Sequence, residues 1–158
     1  MVEIHNSVAK VYEENKETLE IFECLDEFSD TQNFCDHYGF DIEDSCNAIL
    51  IKAKKPEEFY AMFCVLGANR LDVNHKAKEA MGAKRVSFAS REEAETVTGQ
   101  IYGGISPLGL PENIEVYMDK NVTDREKLFI GAGNRVSKFF LSPETLIQLS
   151  SAEVLDLT

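Results

Sequence analysis

The chain has 158 residues, 44% of them hydrophobic and 28% charged, with a formal net charge of −12. This is the composition of a globular protein with one sizeable core, not of a disordered or fibrous chain. No apolar run approaches the roughly 18 residues of a membrane span and no basic-then-apolar leader opens the chain, so a cytoplasmic location and no membrane contact are expected.

In chain order, Ser7 is placed to cap a helix running to about residue 17, and 19–25 reads as a strand. Residues 31–38 form a short helical pattern stopped by Gly39, a residue favoured just past helix ends. The nearly continuous apolar run 47–53 predicts a strand buried on both faces, and 59–66 a second. Asp72 opens a helix through Met81, ended by Gly82, and 86–89 is a short strand. Ser90-Arg91-Glu92-Glu93 is a capping box for a helix to Val97. Strands follow at 114–118, 128–130 and 138–141, Ser142-Pro143 starts a last helix, and 152–157 closes as a strand. Several strands follow one another directly, so the sheet is expected to be mixed and the whole chain, 1–158, to form one domain.

Charge is unevenly distributed. Residues 1–50 carry −11, residues 51–100 carry +2 and residues 101–158 carry −3. The acidic balance works against unaided nucleic-acid binding and against DNA as a partner. Any RNA contact is expected around Lys76, Lys78, Lys84, Arg85 and Arg91, solvated surface charge being the alternative, with the acidic first third facing away from RNA or toward a protein. Cys24, Cys35, Cys46 and Cys64 lack C-x-x-C spacing, and His5, His37 and His75 supply no paired ligand spacing, so reduced core thiols and no metal or other cofactor are expected.

The stretch Thr98-Gly99-Gln100-Ile101-Tyr102-Gly103-Gly104-Ile105-Ser106-Pro107-Leu108-Gly109 carries the chemistry. Adjacent glycines let backbone approach a ligand closely, and Pro107 stiffens the loop and restricts Ser106. Exposed N–H groups on such a loop can polarise a carbonyl oxygen. An ordinary surface turn is the alternative. Gly131-Ala132-Gly133 is not a dinucleotide fingerprint, because a strand and not a helix follows it. No G-x-S-x-G elbow or Cys/His pair points to a covalent acyl-enzyme.

From about Ala68 to Leu157 the chain resembles the YbaK/ProX family of aminoacyl-tRNA deacylases, relatives of the editing domain of bacterial prolyl-tRNA synthetases. The likeness rests on Arg70-Leu71-Asp72, Lys76, Gly82-Ala83-Lys84, Thr98-Gly99, the run Gly103 to Gly109, Asp119, Gly131-Ala132-Gly133 and Ser142-Pro143. The resemblance implies an α/β (mixed α+β) fold with a curved, barrel-like mixed sheet and helices outside. It also implies hydrolysis, in trans, of the ester of mischarged aminoacyl-tRNA. The expected partners are the tRNA 3' end and an aminoacyl-tRNA synthetase.

On this reading the Gly103 loop polarises the ester carbonyl, Gly104, Ile105, Ser106 and Pro107 contact substrate, and Tyr102, Ile105 and Leu108 exclude the wrong amino acid by size. The resemblance places Gly131 and Gly133 beside the active site, a tight turn being the alternative. Asp119 is a substrate-binding candidate or a turn residue. Two positions depart from the family pattern: Asn47 stands where members carry a lysine, and Lys138 where they tend to carry an acid. The reading is that the cation has moved to Lys138, with Asn47 and Lys138 serving orientation and charge stabilisation. Asn47 shares a strand face with Ile49 and Ile51, so its amide is expected beside buried apolar surface with a partner, either a ligand or a loop backbone. The competing reading is a non-catalytic module binding an aminoacyl or nucleotide end, or a synthetase.

Overall fold

The computed structural model describes residues 2–158. The elements are α1 (Asn6–Glu14), β1 (Glu20–Glu23), α2 (Thr31–Tyr38), β2 (Cys46–Lys55), β3 (Phe59–Leu66), α3 (Lys78–Met81), β4 (Arg85–Phe88), α4 (Arg91–Thr98), β5 (Glu115–Asp119), β6 (Leu128–Gly131), β7 (Ser137–Leu141), α5 (Pro143–Ser150) and β8 (Glu153–Leu155). Among the described residues no helix is long and apolar enough to cross a membrane.

The local signals act as the side-chain chemistry dictates. Gly39 ends α2 at φ 80°, Ser90 and Glu93 complete the capping box of α4, and Ser142 caps α5 with Pro143 in its first turn. Two ends differ from expectation. His5, not Ser7, caps α1: its Nδ1 accepts the Ser7 N–H at 3.2 Å, while the Ser7 hydroxyl lies 2.8 Å from the same nitrogen. The helix then stops at Glu14, where Asn15 leaves helical geometry. Asp72 does cap its helix, but Val73–Ala77 is a wider turn with i→i+5 bonding before α3 begins.

Strands form two sheets. One has the order β1-β7-β6, antiparallel throughout; the other runs β4-β2-β3-β5-β8, with β5 parallel to both neighbours. The mixed sheet is as expected, but the barrel-like closure is not. Neither sheet closes on itself, and the two meet through a single parallel bridge between Ser45 and Phe129.

Alternation along β2 explains how the larger sheet is held. Ile51 and Ala53 pack with Phe63, Val65, Met81, Tyr117 and Leu157, while Cys46 and Leu50 on the other face join Met62, Cys64, Met118, Ile130 and Phe139. A third cluster, mostly aromatic, gathers Cys24, Phe34, Cys35, Phe129 and Phe140. All four cysteines are buried and unbonded to one another.

The irregular segment between α4 and β5 is pinned from inside. The buried Gln100 side chain accepts the Ser106 N–H at 2.6 Å and donates to the Leu108 carbonyl at 2.9 Å. Its glycines then meet the β6–β7 turn backbone to backbone. Ile101 N–H donates to Gly133 O at 2.9 Å, and Gly133 N–H to Gly104 O at 2.6 Å. A Cβ on Gly104 would overlap the Asn134 carbonyl, and one on Gly131 would overlap the carbonyls of Gly104 and Ile105. Backbone cannot yield as a side-chain tip can. Gly131→Ala is therefore expected to lower unfolding free energy by about 3 kcal/mol or more in urea titration, as overpacking against rigid atoms does.

Candidate functional site

Where the two sheets meet, a cavity of about 380 Å³ opens between the glycine loop, the start of β2, the β6–β7 turn and the segment leading into α2. Its walls include Asn47 and Ile49 from β2, Tyr102 to Ile105 from the loop, Phe129 to Gly131, Arg135 and Lys138, with Ser29, Asp30, Thr31 and Ser45 on the remaining side. Asn47, Gly103 and Lys138, far apart in sequence, thus face one space.

The loop amides divide into two sets. Tyr102 N–H donates to Glu95 Oε2 at 2.8 Å, Gly104 N–H to Ile101 O at 3.0 Å and Ser106 N–H to Gln100. Those of Gly103 and Ile105 have no acceptor among the described residues, and both residues line the cavity. Ser106 and Pro107 are buried behind the loop; the Ser106 hydroxyl accepts Leu108 N–H at 3.1 Å, and neither residue reaches the cavity. They shape the loop and do not contact its open side. Leu108 is likewise a core residue, 1% exposed, and not a wall.

Lys138 is reached by simple strand geometry. On β7, Phe139 and Leu141 face the main core, so Lys138 and Phe140 face the aromatic cluster. Gly131 sits directly across the ladder, with no side chain to fill the room. Lys138 is only 6% exposed, and its ammonium stands 5.0 Å from the centre of the Phe34 ring, a cation–π contact. Burial pulls its pKa below the ordinary lysine value, the nearby Arg135 charge adds to this, and Cys24, Cys35 and Asp30 oppose it. Lys52, on the opposite face of β2 from Asn47, is held by Glu93 at 2.7 Å and takes no part.

Asn47 differs from expectation. It is exposed at the start of β2, where that strand opens onto the cavity, and no side-chain hydrogen bond to it occurs among the described residues. Asp119 and Gly133 do not line the cavity either. The buried Asp119 carboxylate accepts Leu157 N–H at 2.8 Å and caps the turn at Asn121, while Gly133 packs against His5. Of the basic residues expected to meet RNA, Arg91 comes near: its guanidinium lies 5.5 Å from the centre of the Tyr102 ring at the cavity rim. Lys76 is bound to Asp156 and the Thr158 carbonyl, and Arg85 pairs beside Lys55 at the other end of β2.

The acidic first third does not face away from the cavity, and no motif marks its contribution: it supplies Ser29, Asp30, Thr31 and Ser45. Arg135 straps that segment down, through Nε to Asp26 Oδ1 at 3.0 Å and Nη2 to the Asp26 carbonyl at 3.2 Å, and its Nη1 lies where a Cβ on Gly103 would sit. Ser29 Oγ is buried with no hydrogen-bond partner. An unmet buried hydroxyl costs about 1–3 kcal/mol. Asn134 organises the turn behind Arg135, accepting Val136 N–H at 3.0 Å and the Ser137 hydroxyl at 2.8 Å. No cluster of His, Cys, Asp and Glu among the described residues is arranged to hold a metal ion.

A buried ammonium burdens the fold. Because burial disfavours its charged form, the folded chain binds that proton less tightly than the unfolded one, so the cost is full at neutral pH and eases as pH rises toward 10.5. Lys138→Met is expected to raise the thermal midpoint at pH 7, by an amount that shrinks as pH approaches 10.5, in scans across that range.

A family model for the aminoacyl-tRNA editing domain matches residues 26–149. A candidate Cys-tRNA(Pro)/Cys-tRNA(Cys) deacylase of Enterococcus faecalis, EbsC, is 29% identical over 92 residues, 58% of this chain and 56% of that protein. The proline–tRNA ligase of Nautilia profundicola is 32% identical over 106 residues, covering 66% of this chain and 18% of the ligase. The chain therefore spans little more than half of the first relative and a small part of the second. Among solved structures, a candidate trans-editing enzyme for prolyl-tRNA synthetase superposes with a TM-score of 0.83 at 23% identity, covering 99% of both chains, a likeness of fold. The chain belongs to the aminoacyl-tRNA editing domain family.

Proposed function

We propose that this chain hydrolyses the ester of mischarged aminoacyl-tRNA in trans, as one editing module over residues 1–158 working in the cytoplasm. The observation that carries the reading is the pair of uncommitted amides, Gly103 and Ile105, on a loop that its own core has made rigid. Donors held in place beforehand stabilise a developing oxyanion without reorganising at the moment of reaction.

In this scheme the water oxygen bonds to the ester carbonyl carbon, and the oxyanion settles against those two N–H groups. Collapse breaks the bond to the ribose oxygen, which takes one of the water's protons as it leaves; the other passes to solvent, and the amino acid departs as its carboxylate. Lys138 stabilises negative charge from the buried side, and Asn47, at the open end, orients the water or the ribose. Gly104 and Gly131 keep backbone close to the acyl group, and Ile105 and Tyr102 limit its size. The tRNA 3' end would enter past Tyr102, Arg91 and Arg135, where the cavity rim carries cations that the −12 net charge conceals. A synthetase would complement that small basic surface when the pair acts together.

The test is deacylation of a panel of mischarged tRNAs by the purified chain. Gly103→Ala, which pushes on the Arg135 guanidinium and strains a φ of 92°, is expected to lower kcat/KM at least about tenfold, and Lys138→Ala about a hundredfold, both with the fold retained. Failure of the native chain on every tRNA, with binding to an aminoacylated end intact, would make it a binding module instead.

A further inference from the structure

Ion pairing divides the cations of this acidic chain into two populations. Residues 54–91 hold eight lysines and arginines against four acids, whereas the rest of the chain holds eight against twenty-four. Outside that stretch every lysine and arginine but Lys138 is in an ion pair. Within it, Lys76 alone is paired among the described residues. Four of the others, Lys55, Lys84, Arg85 and Arg91, are exposed along β4, the edge strand of the larger sheet. Lys84 N–H donates to the Lys55 carbonyl at 2.8 Å, and Arg85 lies across the ladder from Lys55. At the other end Ala89 N–H donates to Leu50 O at 3.0 Å, and Arg91 follows, against Tyr102 at the cavity rim. Between the two ends stands Phe88, 61% exposed and part of none of the three hydrophobic clusters. It pairs with Ile51, so it shares a face of the sheet with Asn47 and Ile49, which line the cavity.

We infer that β4 is a track for single-stranded RNA leading out of the cavity. One base lies on the Phe88 ring, and phosphates meet Arg91 at the cavity end and Arg85, Lys84 and Lys55 at the far end. The inference rests on the editing reading above and gives the path of its partner, the unpaired 3' end of the tRNA. From Ile49 to Lys55 the strand rises about 20 Å, room for a few nucleotides. Single strands are commonly held in this way, with cations following the backbone and aromatic rings taking the bases. An acidic protein face would answer the cations, but it would have to bring an apolar group to Phe88 between charged ones. A nucleotide carries the charge and the aromatic face in one unit. Of the acids adjoining the track in sequence, Glu58 and Glu93 are taken up by Lys52 and Glu95 by the Tyr102 amide, while Glu92 stays exposed beside Arg91. The track also reconciles an acidic protein with an anionic partner. The charge of −12 repels RNA from the other faces and leaves this one to receive it.

The test is fluorescence anisotropy with two uncharged RNA hairpins, one carrying a single-stranded 3' tail that ends in adenosine and one blunt. The native chain is expected to bind the tailed hairpin at least about tenfold more tightly. Phe88→Ala should weaken that binding by about fivefold or more. The double variant Lys84→Ala/Arg85→Ala should weaken it too, and should lower the slope of log affinity against log salt by about one. Both variants change exposed side chains, so their thermal midpoints should match the native one. In deacylation of mischarged tRNA, Phe88→Ala should raise KM with kcat unchanged, and turnover of an aminoacyl-adenosine, too short to reach Phe88, should stay as in the native chain. Equal binding of the two hairpins, or binding of the tailed one that neither variant alters, overturns the track. So does a double variant that keeps its affinity for RNA and loses association with a prolyl-tRNA synthetase, which would make β4 a protein-docking edge. The readouts separate the two proposals. Tail-dependent binding that the variants weaken, without hydrolysis of any tRNA, upholds the track and ends the editing reading. Hydrolysis with unaltered KM and binding in the variants does the reverse.

Discussion

Two stretches of backbone, one carrying Gly103 and Gly104 and the other Gly131 and Gly133, run against each other with no side chain between them. Their hydrogen bonds, Ile101 N–H to Gly133 O and Gly133 N–H to Gly104 O, fix the loop to the end of the smaller sheet. The cavity exists because of that contact. Were a side chain interposed, the loop would lift away, and the amides of Gly103 and Ile105 would no longer share a space with Lys138. Gln100 supports the same geometry from beneath, one buried amide tying both ends of the turn.

The consequence for chemistry is a division of labour within a short loop. Alternate amides are committed inward and hold the shape, and the remainder are free to act on a ligand. Such a site needs no charged residue on the loop itself, and its one deep cation comes from another sheet. Lys138 sits among rings and thiols, where an ammonium is costly to keep. A fold that retains such a group accepts lower stability at the wall of its cavity.

Much of the fold was legible because its signals are local. Gly39, Ser90 with Glu93, and Ser142 with Pro143 act through bonds to residues within a turn, so they mark α2, α4 and α5 without reference to anything distant. The alternation that sends Lys138 to the opposite side from Phe139 is equally local. The errors arose where remote atoms decide. Asp119 could be a ligand-binding acid or a turn cap, and the Leu157 amide settles the matter. Asn47 was assigned to a covered face, but its part of β2 opens onto the cavity. Closure of the sheet was expected by likeness, yet strand pairing leaves two open sheets joined at Ser45 and Phe129.

By itself, then, the order of residues determined the helices, strands and glycine-rich loop, each encoded within a dozen neighbouring positions, and the family, encoded in a series of short motifs between Arg70 and Pro143. Tertiary structure alone decided which amides are free and what stands opposite Lys138 across the cavity. The acidic first third illustrates why. Ser29 and Asp30 have no motif of their own, and they become part of the site only because Arg135, more than a hundred residues later, pulls their segment across the mouth. A hydrogen bond between distant segments leaves no periodicity in the chain, and so it appears only once the chain has folded.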